Sequence, residues 1–398
     1  MVSGPLAGLR VVDLTRFVSG SYATMVMAML GAEVVKVEPA EGDPYRHQGT
    51  VFDQGESVLF RSLNTAKRSV VVDFKCDEGR AVMDRLLSSS DFFVENSRPG
   101  SLAPYGLDYE AVHARHPSLV YGTISGYGEV GPEATRGGFD LILQAESGLM
   151  SVTGSSRSGP VKVGAPVLDI GAGLSCVIGL LAAHVERLTT GRGRLVNTSL
   201  LEFALAGLTS VVADYLADGT VPGLLGTHSP TFAPYGSFRT ADGWLVLAGA
   251  GSETLWQRAC AVMDREDLIV DERFVDNAAR VAHRDELIGE VEAALAARSS
   301  EEWLTRLTAA GVPASTVRDV GQAVRSEQVT ALGTIRRVDA PAGSYRAVGS
   351  PVRFDHEHVE TLTPSPALGA DTYDVLKELE LDDAEIDRLR DEGVVRCA

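Results

Sequence analysis

Along the first third of the chain, apolar positions fall into two alternating periods. Short apolar runs at residues 9–14 (LRVVDL), 33–37 (EVVKV), 69–73, 91–94 and 119–124 read as buried strands. Between them the spacing turns helical. Residues 19–30 form a helix stopped by Gly31, residues 78–87 put Val82, Met83, Leu86 and Leu87 on one face, and residues 109–113 make a short helix. Strands separated by helices predict a mostly parallel, three-layer α/β domain, Rossmann-like in its arrangement.

The pattern changes at residues 159–188, GPVKVGAPVLD followed by IGAGLSCVIGLLAAHVERL. Residues 161–168 are β-like, interrupted at Gly164, Ala165 and Pro166. Leu174, Val177, Ile178, Leu181 and His184 then recur at helical spacing, which predicts a buried helix with Gly171, Ala172 and Gly173 in its first turn. Small residues there allow another backbone or a ligand to approach closely. Asp169 stands at the junction, where helix amides and the macrodipole favour an ionised carboxylate. By itself this is an N-cap; a catalytic carboxylate needs support from elsewhere in the chain.

Downstream, Gly191-Arg192-Gly193-Arg194 is a turn before a strand at 195–198 and a long apolar helix at 200–216. Residues 219–234, rich in Gly, Pro, Thr and Ser, read as a linker. A hairpin at 238–247 turns at Ala241-Asp242-Gly243 and is followed by helices at 253–263, 284–298 and 300–309. The last of these begins with a capping pattern, Ser299 and Ser300 before Glu301 and Glu302. The expected division is a large domain over 1–224, a small α+β domain over 225–325, and a return to the large domain over 326–398. That return includes a Pro/Gly-rich stretch at 341–351 and an acidic helix at 383–392.

Composition narrows the function. With 54 acidic against 36 basic residues the net charge is −18, which speaks against nonspecific nucleic-acid binding but not against a local basic pocket for a small anion. The apolar runs at 22–30 and 174–183 are too short to cross a bilayer, and the N-terminus has no signal-peptide pattern. Cys76, Cys176, Cys260 and Cys397 lie far apart and the eight histidines are scattered, so the expectation is a cytoplasmic protein without a metal. After the first strand stands Thr15-Arg16-Phe17-Val18-Ser19-Gly20 rather than GxGxxG, so a nicotinamide or flavin dinucleotide is unsupported.

Nine stretches, in a consistent order, then give a resemblance. They are LxGLRVVDLTR, LGAEVVKVEP with GDPYR, NTAKRSVVVDFK, VENSRPG, ISGYGEVGP, RGGFDLILQAESGLM, VGAPVLDIGAG, GRGRLVNTSLLE and PYGSFRTADGWLVL. Over nearly its whole length the chain resembles the class III coenzyme A transferases, the CaiB/BaiF family of formyl-CoA:oxalate and carnitine CoA-transferases, which also contains the α-methylacyl-CoA racemases. The resemblance implies that Asp169 is the nucleophile. It would attack a donor thioester, pass through a mixed anhydride, and become an aspartyl-CoA thioester that an acceptor carboxylate opens, moving coenzyme A from an acyl-CoA to a small organic acid.

It further implies a coenzyme A wall of Val72, Asp73, Phe74 and Lys75 with Asn96, Ser97 and Arg98. Arg16 and Tyr127 are further contacts, and Lys36, Arg46 and Lys67 further basic candidates. Pro39 and Pro104 stand where some relatives have an arginine. Val18, Phe139, Asp140, His228, Gly249 and Gly251 are the implied acyl and acceptor pocket, which Tyr127 and Tyr235 also have the chemistry to face. The loop at 248–252 is either a lid over the site or a plain turn before the next helix. Racemisation needs two bases, and Phe139 stands where the racemase branch has a histidine, which disfavours that alternative. Asp169 within VLDIGAG speaks against a second alternative, an inactive coenzyme A-binding subunit. Val18, where the oxalate-using branch has a glutamine, favours a larger acid than oxalate or formate. The implied assembly is a homodimer of two interlocked rings.

Overall fold

The computed structural model describes residues 4–53, 55–249, 251–359 and 362–398. The chain forms two compact units: Met1–Ser147 with Val163–Gly219 and Thr330–Ala398, and Gly148–Lys162 with Thr220–Val329.

The first unit is built on a seven-stranded sheet. Its lateral order is Leu195–Ser199, Val120–Ser125, Phe92–Glu95, Arg10–Leu14, Glu33–Glu38, Arg68–Val72 and Val395–Arg396. All neighbours are parallel except the last pair, where the C-terminal strand runs antiparallel along Arg68–Val72. Numbered along the chain, the six parallel strands lie in the doubly wound order 3-2-1-4-5-6, which reverses between Arg10–Leu14 and Phe92–Glu95. A crevice opens at such a reversal, beyond the carboxyl ends of the strands. The strands read as continuous apolar runs because both faces are covered: Val11, Val12, Phe92 and Phe93 are wholly buried. The Asp77–Ser88 helix presents Val82, Met83, Leu86 and Leu87 to one face, as its spacing predicts, together with Val375, Leu376, Ile386 and Leu389 of the C-terminal helices.

The central helix runs from Val167 to Thr190. Its predicted lead-in strand is absent: residues 161–166 are irregular, because Gly164, Ala165 and Pro166 offer no alternating pattern to pair. Asp169 therefore sits inside the first helical turn and not at the N-cap, which is Pro166. Gly171 and Gly173 fall in the second turn. Their space is taken by protein: a Cβ on Gly171 would overlap the Phe203 ring, and one on Gly173 would stand 2.5 Å from the Ser19 carbonyl oxygen. The expected clearance for a ligand is instead a seat for neighbouring elements. One face of the helix is buried, with Leu168, Cys176, Val177 and Leu180, while Leu174 and Ile178, expected inside, are 40% and 70% exposed. At 24 residues the helix is long and apolar enough for a membrane span, longer than the run read from sequence, but its glycine-lined face is packed within the unit. The long helix predicted next is two, Leu200–Gly207 and Thr209–Asp218, bent by 77° at Thr209, whose φ is +35°.

In the second unit, strands Tyr235–Arg239, Trp244–Ala248 and Ala314–Thr316 form an antiparallel sheet over helices that include Glu253–Val262, Arg284–Leu295 and Ser300–Ala309. Trp256, Trp303, Phe238 and Phe274 fill the core. The capping box predicted at Ser299 forms with Glu302. The segment Gly148–Lys162, read from sequence with the large domain, groups here because Gly226 N–H donates to the Gly154 carbonyl at 2.6 Å and Ser155 bridges Leu225.

Candidate active site

Two clefts open beyond the strand ends of the first unit, on either side of the loop that leaves Leu14. One, of about 230 Å³, is lined by Phe17, Ser19, Tyr45, Asn96, Ser97, Arg98, Phe139 and Asp169 among others. The second, of about 240 Å³, is lined by Arg16, Lys36 and Val72, Asp73, Phe74 and Lys75. The coenzyme A wall expected as one surface is thus divided. Val72–Lys75 and Arg16 lie in the second cleft, and Asn96–Arg98 share the first with Asp169.

The loop between the clefts is fixed from below by buried charge. Asp13, fully buried, accepts from Thr15 N, Thr15 Oγ1, Thr24 Oγ1 and Lys67 Nζ at 2.6–2.9 Å. Burial pushes its carboxyl up, but Lys67 and Lys36 outweigh that and hold it at about 2. Lys36 Nζ donates to the Thr15 carbonyl at 2.7 Å and pairs with Asp43 at 3.0 Å. Arg46 forks onto both oxygens of Glu38 at 2.7 Å. Lys36, Arg46 and Lys67 are therefore committed to internal carboxylates, and the expectation that they hold phosphates is corrected. Asn96 ties the two loops at the sheet reversal together: its Oδ1 accepts from Arg16 N at 2.9 Å and its Nδ2 donates to the Arg16 carbonyl at 2.7 Å.

Asp169 is half-buried at the edge of the first cleft. The amides expected to solvate it do otherwise: Asp140 Oδ2 accepts from Leu168 N at 2.8 Å and from Asp169 N at 3.2 Å, capping the helix from 29 residues away in sequence. Gln144 donates to the other Asp140 oxygen and accepts from Val163 N at 2.8 Å, which fixes the cap. Asp140 is thus a capping residue, where the resemblance placed it in the acyl pocket. Burial first and the Asp140 charge second push the Asp169 carboxyl up to about 7, overturning the expectation of a fully ionised group.

The rest of the implied acyl pocket is partly rearranged. Val18 is 8% exposed and caps the Ser19–Met29 helix; Phe17, with φ +59°, takes the place at the cleft. Phe17 packs edge-on to Tyr45 at 5.4 Å and to Phe139 at 6.3 Å between ring centroids. Tyr45 went unselected in the sequence, although it lies within the GDPYR stretch. Asp43 accepts from its N–H at 2.9 Å and so holds the turn that presents it. Tyr127 is outside both clefts, its hydroxyl donating to Glu146 at 2.7 Å. His228, Tyr235, Gly249 and Gly251 belong to the second unit. There the His228 ring packs against Phe238 at 5.3 Å and fills the space that a side chain at Gly236 would need. Gly249 lies near Pro234 and Ala259, Ser252 caps the Glu253 helix, and Ala250 lies outside the described residues.

A family model for CoA-transferase family III matches residues 6–372. The chain belongs to that family. Succinyl-CoA:glutarate CoA-transferase of Mus musculus is 35% identical over 394 residues, 98% of this chain and 90% of the relative. Succinyl-CoA:mesaconate CoA-transferase of Haloarcula marismortui is 34% identical, over 96% of this chain and 97% of the relative. A CaiB/BaiF family protein from Brucella suis superposes with a TM-score of 0.85 at 33% identity, covering 94% of this chain and 99% of that one. These relatives are named for moving coenzyme A between organic acids.

Proposed function

We propose that this family III enzyme transfers coenzyme A between carboxylic acids through a covalent intermediate on Asp169. The observation that carries the proposal is the position of that carboxylate: half-buried, in the first turn of the longest helix, at the edge of a cleft where the sheet order reverses. In the first step an Asp169 oxygen attacks the thioester carbonyl carbon. A C–O bond forms, the carbonyl π electrons move to oxygen, and the C–S bond breaks to release coenzyme A thiolate, leaving an acyl–aspartyl anhydride. The thiolate attacks the aspartyl carbonyl and the donor carboxylate leaves, giving aspartyl-CoA. An acceptor carboxylate repeats the sequence in reverse.

The nucleophile must be ionised and poorly hydrated; burial supplies the second condition and opposes the first, so the reactive carboxylate is populated as pH rises through about 7. The helix amides are engaged by Asp140, so stabilisation of the developing oxyanion falls to open donors in the cleft. Tyr45 is the placed candidate: burial and the nearby Asp169 charge keep its phenol protonated. The Arg16 and Lys75 side chains, in the neighbouring cleft, suit the phosphates. The assembly we propose is a homodimer, supported by the exposed apolar stripe Leu174, Ile178, Val185 and Leu188 on the central helix. Asp169→Ala tests the chemistry: transfer at the wild-type rate, or unchanged hydroxylamine capture of an acyl group by the variant, rules Asp169 out as nucleophile.

A further inference from the structure

Lys36 interrupts an apolar run. It stands in the Glu33–Glu38 strand between Val35 and Val37, and its side chain is wholly buried. Opposite it in register on the neighbouring strand is Asp13, also wholly buried. Taking an ammonium out of water is costly, and apolar side chains in place of a buried ion pair are often neutral or stabilising. Stability alone gives no reason for a lysine there; what its ammonium touches does. It donates to the Thr15 carbonyl at 2.7 Å and pairs with Asp43 Oδ2 at 3.0 Å. Burial pulls Lys36 down, but Asp13, Asp43 and Glu38 outweigh it, so the ammonium stays charged.

The two partners belong to two different loops. Thr15 leads from the Arg10–Leu14 strand to Phe17. Asp43 follows the Glu33–Glu38 strand, and its other oxygen accepts from Tyr45 N at 2.9 Å. Asp43 is buried and its Oδ2 has no hydrogen-bond partner among the described residues, so the Lys36 charge is what compensates it. The same loops meet a second time in the Asp169 cleft, where Phe17 and Tyr45 pack edge to face at 5.4 Å. Phe17 holds φ +59°, a backbone uncommon for a bulky residue and kept where the surroundings over-determine it. We propose that Lys36 is a positioning residue for coenzyme A transfer: it clamps the Thr15 carbonyl to the Asp43 carboxylate and so sets Phe17 and Tyr45 at the cleft that Asp169 borders. Lys36 touches no reactant in this role. Misplacing a group by about 1 Å at a reacting centre costs on the order of 100-fold in rate, which gives the clamp its leverage. The proposal rests on the reading of Tyr45 as donor to the developing oxyanion.

The test is a double-mutant cycle read by exchange of labelled succinate into succinyl-CoA. Tyr45→Phe should lower kcat about 100-fold, the worth of one oxyanion donor. Lys36→Met should lower kcat about 10- to 100-fold with the KM for succinyl-CoA within about twofold of wild type. The double variant should be about as slow as Tyr45→Phe alone, because a misplaced tyrosine and a missing hydroxyl are the same loss. If Lys36→Met does not fold, Asp43→Asn goes through the same cycle with the same expectation; it keeps an oxygen for Tyr45 N and removes the charge that holds Lys36. Losses that multiply, as from a general loss of folded enzyme, overturn the proposal alone. So does a raised KM at unchanged kcat, the mark of a direct coenzyme A contact, and so do unchanged kinetics. Tyr45→Phe at the wild-type rate overturns the reading of Tyr45 and the proposal with it. Mass-spectrometric mapping of the Asp169 adduct in the same variants reads the nucleophile separately.

Discussion

Asp169 and Asp140 work as a pair, and their coupling has consequences that are measurable. Because burial and the Asp140 charge raise the Asp169 carboxyl to about 7, its ionised form, the one the proposed mechanism needs, grows as pH rises through that value. The kcat/KM of the free enzyme should fall about tenfold per pH unit below a midpoint near 7. Asp140→Asn keeps an oxygen for the Leu168 and Asp169 amides but removes the charge, so the midpoint should shift to lower pH; a fixed midpoint would show that Asp140 contributes nothing to it. The same shift has a sign for stability. A carboxyl raised in the folded state favours folding fully below its unfolded value, and that advantage is lost as pH rises through about 7. Asp169→Asn should therefore stabilise the fold at pH 8 and have little effect at pH 4, read by thermal melting at the two pH values. Asp169 itself was legible from the order of motifs around it. Asp140 as a cap was not, because the bond spans 29 residues. Lys36, Arg46 and Lys67 looked like open cations because a sequence does not show which carboxylates face them.

The central helix illustrates what periodicity conveys and what it omits. Its existence is written in its apolar spacing, though not its start, and so are the parallel strands, each found within a residue or two of its expected place. Which face is buried depends on Phe203 and the Ser19 helix, which pack into the notches at Gly171 and Gly173. An uninterrupted apolar run at 200–216 likewise conceals the bend at Thr209. Gly171→Ala and Gly173→Ala should each cost about 1–3 kcal/mol by overpacking, seen as a lower urea midpoint at unchanged m-value. Stability equal to wild type would mean that the helix has room to move, contrary to its close seat.

For the whole molecule, a chain with net charge −18 that leaves Ile178, Val185 and Leu188 64–71% exposed on one helix has an apolar surface to cover. Ile178→Glu should shift sedimentation toward monomer if that surface joins two copies; an undisturbed dimer would place the interface elsewhere. The sheet order 3-2-1-4-5-6 brings loops from its first and fourth strands together at the cleft that Asp169 borders, which is where the proposed chemistry is to be tested. The most direct test of that account is mass spectrometry of the enzyme mixed with succinyl-CoA and no acceptor, followed by peptide mapping. Coenzyme A or succinyl attached to Asp169, absent from Asp169→Asn, is the predicted result. A competent enzyme with no covalent adduct, or with the adduct on another residue, would contradict it.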